Sequence, residues 1–248
     1  MRYTVLTYIM EGYEPVREVV EKDPEAEYIL VTDDPAIRSD TWQVVYDKML
    51  AGLSTFDKCY QVRFHPFDYA DADTVVRIDG SIRVKAPLTP VIDTFENGGY
   101  DICVMIHPER NTMLEEYEVW CKTRNYPLKQ AAKCLNYMKA QGYDLDYKGL
   151  YQGGFVIHRR NELNDEFCRL TYDTLKHLGS GGKIERIDQT ISSFILNSRF
   201  ADRMKVMAVS ERIITNGNYM QFYLHNSAYA VDKWPTIQPY LFNQPIRL

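Results

Sequence analysis

The sequence has no C-x-x-C pair. Its five cysteines, Cys59, Cys103, Cys121, Cys134 and Cys168, are scattered and odd in number. Reduced thiols are therefore expected, with neither a zinc ribbon nor a disulfide framework. No apolar run approaches the ~20 residues that a transmembrane helix needs, so no integral membrane segment is expected. The opening MRYTVLTYIMEGYEP has only a short, strand-like apolar run and no small-residue cleavage site, so no signal peptide is expected and the expected location is cytoplasmic. Positive charge is short too: 29 Lys and Arg face 34 Asp and Glu, for a net charge of -5. A nucleic-acid partner, which calls for a basic stripe, is not expected. No G-x-G-x-x-G follows the first strand and no P-loop occurs, which disfavours a dinucleotide or P-loop nucleotide site.

What is present suits one large α/β domain. The chain has 248 residues, 45% hydrophobic and 25% charged. Nineteen tyrosines supply aromatic faces with a polar tip, which suit sugar- or base-lined clefts and equally serve as core filler. Strands are expected at 3–9, 28–32, 42–45, 75–78, 100–106, 150–158 and 205–209. Helices are expected at 16–20, from a Ser54 cap through Arg63, and at 89–95, 111–124, 128–141, 163–178 and 188–197. Glycines 179, 181 and 182 mark a loose loop before the last of these helices. From Ile213 onward no clear periodicity is visible. Strands alternating with helices predict a central mixed, mostly parallel sheet.

The stretch from Val75 to Val84, VVRIDGSIRV, is the most informative. Its apolar strand delivers Asp79, Gly80 and Ser81 to its carboxyl end. Ligands of open α/β sheets bind just beyond such ends. An ordinary strand ending in an Asx turn fits the same residues.

Four pieces in order complete the pattern: Arg77-Ile78-Asp79-Gly80-Ser81; His107-Pro108-Glu109-Arg110 with Glu115-Glu116; Gly149-Leu150-Tyr151-Gln152-Gly153-Gly154-Phe155; and Arg186-Ile187-Asp188-Gln189. Together they resemble the glycosyltransferase-A fold, a Rossmann-like fold of nucleotide-diphospho-sugar transferases. The pattern is closest to the mucilage-related glycosyltransferase-like domain family of plants and bacteria. The resemblance implies a single domain over 1–248, with 210–248 as a C-terminal tail packing on it. It implies a transferase that moves a sugar from a nucleotide-diphosphate-sugar donor to a glycan or other hydroxyl acceptor. The first loop lacks the glycine-rich start of sugar-1-phosphate nucleotidyltransferases.

By the same resemblance, Thr7, Tyr8, Thr32 and Asp33 hold the nucleotide, and Lys58 approaches the donor phosphate. Thr32-Asp33-Asp34 also reads as a plain turn, and Lys58 as a solvated helix face. Arg77 and Asp79 fall at the donor, and Asp79 matches the first arm of an Asp-x-Asp-like motif that binds a divalent cation, Mn²⁺ or Mg²⁺. The second arm here is Ser81, a poorer ligand. His225 and Lys233 loosely resemble a histidine that completes the metal site and a lysine that meets the diphosphate in glycogenin-like transferases. Gln152, Gly153 and Gly154 fall where donor sugar and acceptor are read; two glycines let backbone approach a ligand, or mark a β-bulge. Asp188 and Gln189 fall at the sugar, Asp188 as a hydrogen-bond partner or base. An acid there also suits a helix dipole. His107, Arg110 and Glu116 match family positions without an evident role. A non-catalytic carbohydrate- or nucleotide-binding protein on a decayed scaffold is the competing reading, motivated by the missing second aspartate.

Overall fold

The first strand, β1 (Tyr3–Ile9), is buried at every residue, as a strand covered on both faces must be. In this computed structural model, which describes residues 1–123, 126–179, 187–216 and 218–223, it lies near the middle of the main sheet. The elements that follow are β2 (Ala26–Thr32), β3 (Gln43–Tyr46), α1 (Thr55–Phe64), β4 (Thr74–Ile78), β5 (Ile82–Val84), α2 (Thr89–Asn97), β6 (Ile102–Ile106), α3 (Met113–Thr123), α4 (Leu128–Ala140), β7 (Tyr151–Arg159), α5 (Glu162–Leu178), α6 (Asp188–Ile195), β8 (Val206–Ser210), α7 (Glu211–Asn216) and β9 (Met220–Phe222).

Seven strands form one sheet in the order β3-β2-β1-β4-β7-β6-β8. β1 runs parallel to β2 and β4, β2 to β3, and β6 to β8. β7 alone runs antiparallel, to β4 on one side and β6 on the other. The expected mixed, mostly parallel sheet is therefore present. Its two faces are packed separately, as the period of two along a strand requires. On β6, Ile102 and Val104 join Tyr117, Leu135 and Phe194 of the helical layer. Cys103 and Met105, between them in sequence, join Ile92 and Phe95 on the other face.

Local signals carried most of the helices. The Ser54 side chain accepts the Asp57 amide at 3.2 Å and caps α1. In α5, Phe167, Cys168, Thr171, Leu175 and Leu178 recur at helical spacing and are buried; each large apolar side chain so buried contributes ~1.5–3 kcal/mol.

The helix expected at 16–20 is absent. The chain there runs without regular structure, and its amides serve tertiary partners: Val19 N donates to Thr41 Oγ1 at 2.9 Å and Val20 N to the Val84 carbonyl at 3.0 Å. Three valines stiff at χ1 in a five-residue stretch gave little helical drive against those contacts. Beyond Ile213, where no periodicity is visible, the structure has the end of α7 and then β9, which pairs antiparallel with β5. A three-residue strand carries too few alternations to be read from sequence. Of the glycine loop expected at 179–182, all but Gly179 lies outside the described residues.

Candidate active site

β4 ends at Ile78, and the ladder with β7 runs one step further, the Asp79 amide donating to the Gly154 carbonyl at 2.9 Å. Across β6 the register jumps from Val104↔Val156 to Met105↔Gln152. Gly153, Gly154 and Phe155 thus fall in a bulge of β7. A bulge re-aims backbone at a sheet's end, and here it brings Gly154 against Asp79 and Gly153 against Asp188 and Arg63. Gly80 is set by close approach: a Cβ there would lie 2.9 Å from the Tyr8 carbonyl oxygen.

Arg63, from the last turn of α1, stands at the centre. Its Nη2 donates to Asp79 Oδ1 at 2.6 Å, its Nε to the Tyr8 hydroxyl at 2.9 Å, and its Nη1 to Asp188 Oδ2. Tyr8 also donates to Asp79 Oδ1 at 2.9 Å, and Tyr60 to Asp188 Oδ1 at 2.9 Å. One guanidinium thereby ties the end of β1, the end of β4 and the start of α6 into a single frame. Burial works against the Asp79 charge, but Arg63, Arg77 and the Tyr8 hydrogen bond outweigh it and hold its pKa below the ordinary value. Burial likewise opposes the Arg63 charge; Asp79 and the two tyrosines hold its pKa up. Arg77 is buried beside Arg63, and burial followed by that like charge brings its pKa down to about 10. Its Nη1 donates to Gly153 O and, at 3.3 Å, to Asp79 Oδ1.

A second network lies on the opposite wall. Glu116 accepts from Arg110 Nε through one oxygen and from Gln189 Nε2, at 2.8 Å, through the other. His107 Nε2 lies 2.8 Å from Arg110 Nη2, and its Nδ1 faces the amides of Glu109 and Arg110 at 3.2 and 3.1 Å. The three residues without an evident role in the sequence thus form one cluster that holds Gln189.

Tyr8, Asp79, Ser81, Gln152, Gly153, Gly154, Asp188 and Gln189 all line one cavity of about 620 Å³, together with Arg63, His107 and Glu116. Phe56, Tyr60 and Trp120 give it aromatic walls. Such a volume falls within the ~300–1,000 Å³ of small-molecule sites. Arg77 lines instead a small cavity of about 30 Å³ behind it, with Gln152 and His158. Thr7, Thr32, Asp33 and Lys58 do not line the large cavity. Lys58 Nζ donates to Asp33 at 2.6 Å and to Glu11 at 2.8 Å, and those bonds hold its pKa up. Thr32 Oγ1 accepts the Asp34 amide at 3.1 Å, and Thr7 is buried in β1. His225, Lys233 and Arg186 lie outside the described residues. Arg63 and Tyr60 are absent from the sequence-based set. Their signal was a helix immediately before β4 with Tyr and Arg three residues apart, on one face.

The residues were tested against a divalent cation. Among the described residues no group of three or more His, Cys, Asp or Glu side chains is placed to hold a metal. Asp79 Oδ1 already accepts three hydrogen bonds, two of them from guanidinium groups. Both Asp188 oxygens are likewise taken. Among the described residues, Asp79 and Ser81 alone do not make the oxygen cage that a hard cation needs; His225 lies outside the described residues. No described helix is long and apolar enough to cross a membrane.

No family model matches the chain, and no curated protein matches it. Among solved structures, the chain is similar to the crystal structure of mouse xyloside xylosyltransferase 1 in its apo form. The TM-score is 0.45 at 11% identity, over 83% of this chain and 84% of that one.

Proposed function

We propose that this protein is a nucleotide-sugar-dependent glycosyltransferase of the glycosyltransferase-A type, transferring a sugar to an acceptor hydroxyl in polysaccharide or glycoconjugate synthesis. The observation that carries the reading is convergence: Asp79, the Gly153-Gly154 bulge and Asp188, far apart in sequence, line one cavity at the carboxyl ends of β1 and β4. That is where an open α/β sheet binds ligands. Tyr8 and Asp79 would contact the donor, and the bare backbone of Gly153-Gly154 would let a sugar ring approach. Asp188 and Gln189, the one held by Tyr60 and Arg63 and the other by Glu116, would accept and donate hydrogen bonds to sugar hydroxyls. Orienting both partners in an aromatic-walled cleft is itself a large part of the rate such an enzyme needs. Thr7, Thr32, Asp33 and Lys58 would serve a nucleotide only if Lys58 exchanged its present carboxylate partners for the donor. Lys233 would meet the diphosphate and His225 would complete a metal site, as the resemblance to glycogenin-like transferases implies.

The test is a panel of uridine and guanosine diphosphate sugars incubated with the protein, followed by nucleotide release. Release from at least one donor is expected. The Lys58–Asp33 pairing and the serine at position 81 favour a second reading, a sugar or nucleotide binder without turnover. Saturable donor binding with no release, even with glycan acceptors added, would select it.

A further inference from the structure

A departing nucleoside diphosphate needs a positive charge beside it, and the residues around Asp79 offer one that is not a metal. We propose that Arg63, rather than a divalent cation, stands against the donor diphosphate, so that donor binding does not depend on metal; this rests on the glycosyltransferase reading. Arg63 lines the large cavity. A guanidinium has five N–H donors in a planar fork. Here Nε, Nη1 and Nη2 spend one each, on Tyr8, Asp188 and Asp79, which leaves two of the five for a ligand. The neighbouring chain keeps it open: a Cβ at Gly153 would lie 3.5 Å from Arg63 Nη1, so any side chain there would cover the guanidinium.

A cation at Asp79 would meet the opposite conditions. It would stand beside both Arg63 and Arg77, whose Nη atoms lie 2.6 and 3.3 Å from Asp79 Oδ1. Arg63 and Arg77 are already the counter-ions of Asp79, and Arg63 that of Asp188. Ser81, in place of a second acid, adds a neutral oxygen. Arginine, by contrast, binds phosphate through its N–H fork, and two of the Arg63 N–H groups are not engaged by Tyr8, Asp79 or Asp188.

The experiment is calorimetric titration of the full chain with uridine diphosphate and guanosine diphosphate, in EDTA and again with Mn²⁺ or Mg²⁺. The expected result is that at least one nucleotide binds in EDTA with an affinity within about threefold of that with metal. Arg63→Gln should weaken that binding by roughly tenfold or more in both buffers, and Mn²⁺ should not restore it. Arg63→Lys, which keeps the charge, covers the case in which the glutamine variant does not fold, and it should bind more weakly than wild type but still without metal. Mn²⁺ electron paramagnetic resonance on the wild type gives a readout apart from affinity: with nucleotide present, adding protein should not lower the free-ion signal below that of Mn²⁺ and nucleotide alone. Binding that appears only with metal, or a Mn²⁺ signal that protein lowers below that of Mn²⁺ and nucleotide alone, overturns the inference and leaves the transferase reading standing. No binding of either nucleotide in any buffer removes both.

Discussion

Gly153 and Asp188 are in near contact: a Cβ built on the glycine would lie 3.2 Å from Asp188 Oδ2. The bulge of β7 therefore presses bare backbone against the carboxylate that opens α6. Asp188 cannot retreat freely, because Tyr60 and Arg63 hold its two oxygens. The spacing of the two groups is set by what surrounds them, and a side chain at 153 would displace the Asp188 carboxylate by a few tenths of an ångström.

Gly153→Ala tests that spacing. The methyl would force the Asp188 carboxylate to move by a few tenths of an ångström. Positional errors of about 1 Å cost ~10²-fold in rate, so a loss of about tenfold in single-turnover rate is expected, with thermal stability nearly unchanged. A variant with wild-type rate would show that the glycine is dispensable to the chemistry.

Gly80→Ala should act differently, through stability. Its Cβ would lie 2.9 Å from the Tyr8 carbonyl oxygen and 3.3 Å from Ile9 Cγ1. Tyr8 is backbone of β1, which is locked in register with β2 over its whole length, so the clash falls on two strands that cannot part. Overpacking of this kind costs ~1–3 kcal/mol. Urea unfolding should show the midpoint falling with an unchanged slope. An unshifted midpoint would mean that the Asp79–Ser81 turn relaxes instead.

Much of this fold was legible because its signals are local. β1 and β4 are runs of buried, β-branched or apolar residues, and Ser54 announces α1. The strand-end aspartate and the double glycine were visible as chemistry that a strand does not need. Arg63 was not. Tyr60 three residues before it is the one local mark, and its partners Tyr8, Asp79 and Asp188 lie 55, 16 and 125 residues away. The stretch 16–20 failed for a related reason: its amides bond to Thr41 and Val84, contacts that periodicity cannot report. His107, Arg110 and Glu116 stood out in the sequence, yet their common purpose appears only when α6 brings Gln189 to Glu116.

His158 gives a pH prediction. It is buried; burial first, then the Arg77 charge, brings its pKa down from 6.5 to about 3 against the opposing hydrogen bond with Asn164. In the unfolded chain the imidazole takes up a proton near pH 6.5, and in the folded protein it does not until about pH 3. The contribution is therefore fully present above pH 6.5 and is lost progressively as pH falls toward 3. Once the unfolded histidine is mostly charged, the slope approaches about 1.4 kcal/mol per pH unit. Denaturant titrations at pH 6.5, 6.0, 5.5 and 5.0 should show this decline, and His158→Phe should flatten it. Equal slopes in the two proteins would mean that His158 is protonated in the native state.

Asp188→Asn separates chemistry from architecture. The carboxylate is nearly buried at the first turn of α6, with no capping bond to its helix and with Arg63 and Tyr60 as partners. Asparagine keeps the shape and one acceptor oxygen. Arg63 retains Asp79 and Tyr8, so the protein should stay folded at a cost of about 1–3 kcal/mol for the weakened buried contact. If the carboxylate acts on the transferred sugar or the acceptor hydroxyl, the single-turnover rate should fall ~10²-fold or more while donor affinity stays close to wild type. Tyr60→Phe is the companion variant: it removes the hydrogen bond to Asp188 Oδ1 but leaves the charge, and its rate should fall less, by about tenfold. Donor affinity by calorimetry beside rate by rapid quench decides the matter. An Asp188→Asn protein with normal turnover would leave that carboxylate as an anchor for Arg63 and no part of the reaction.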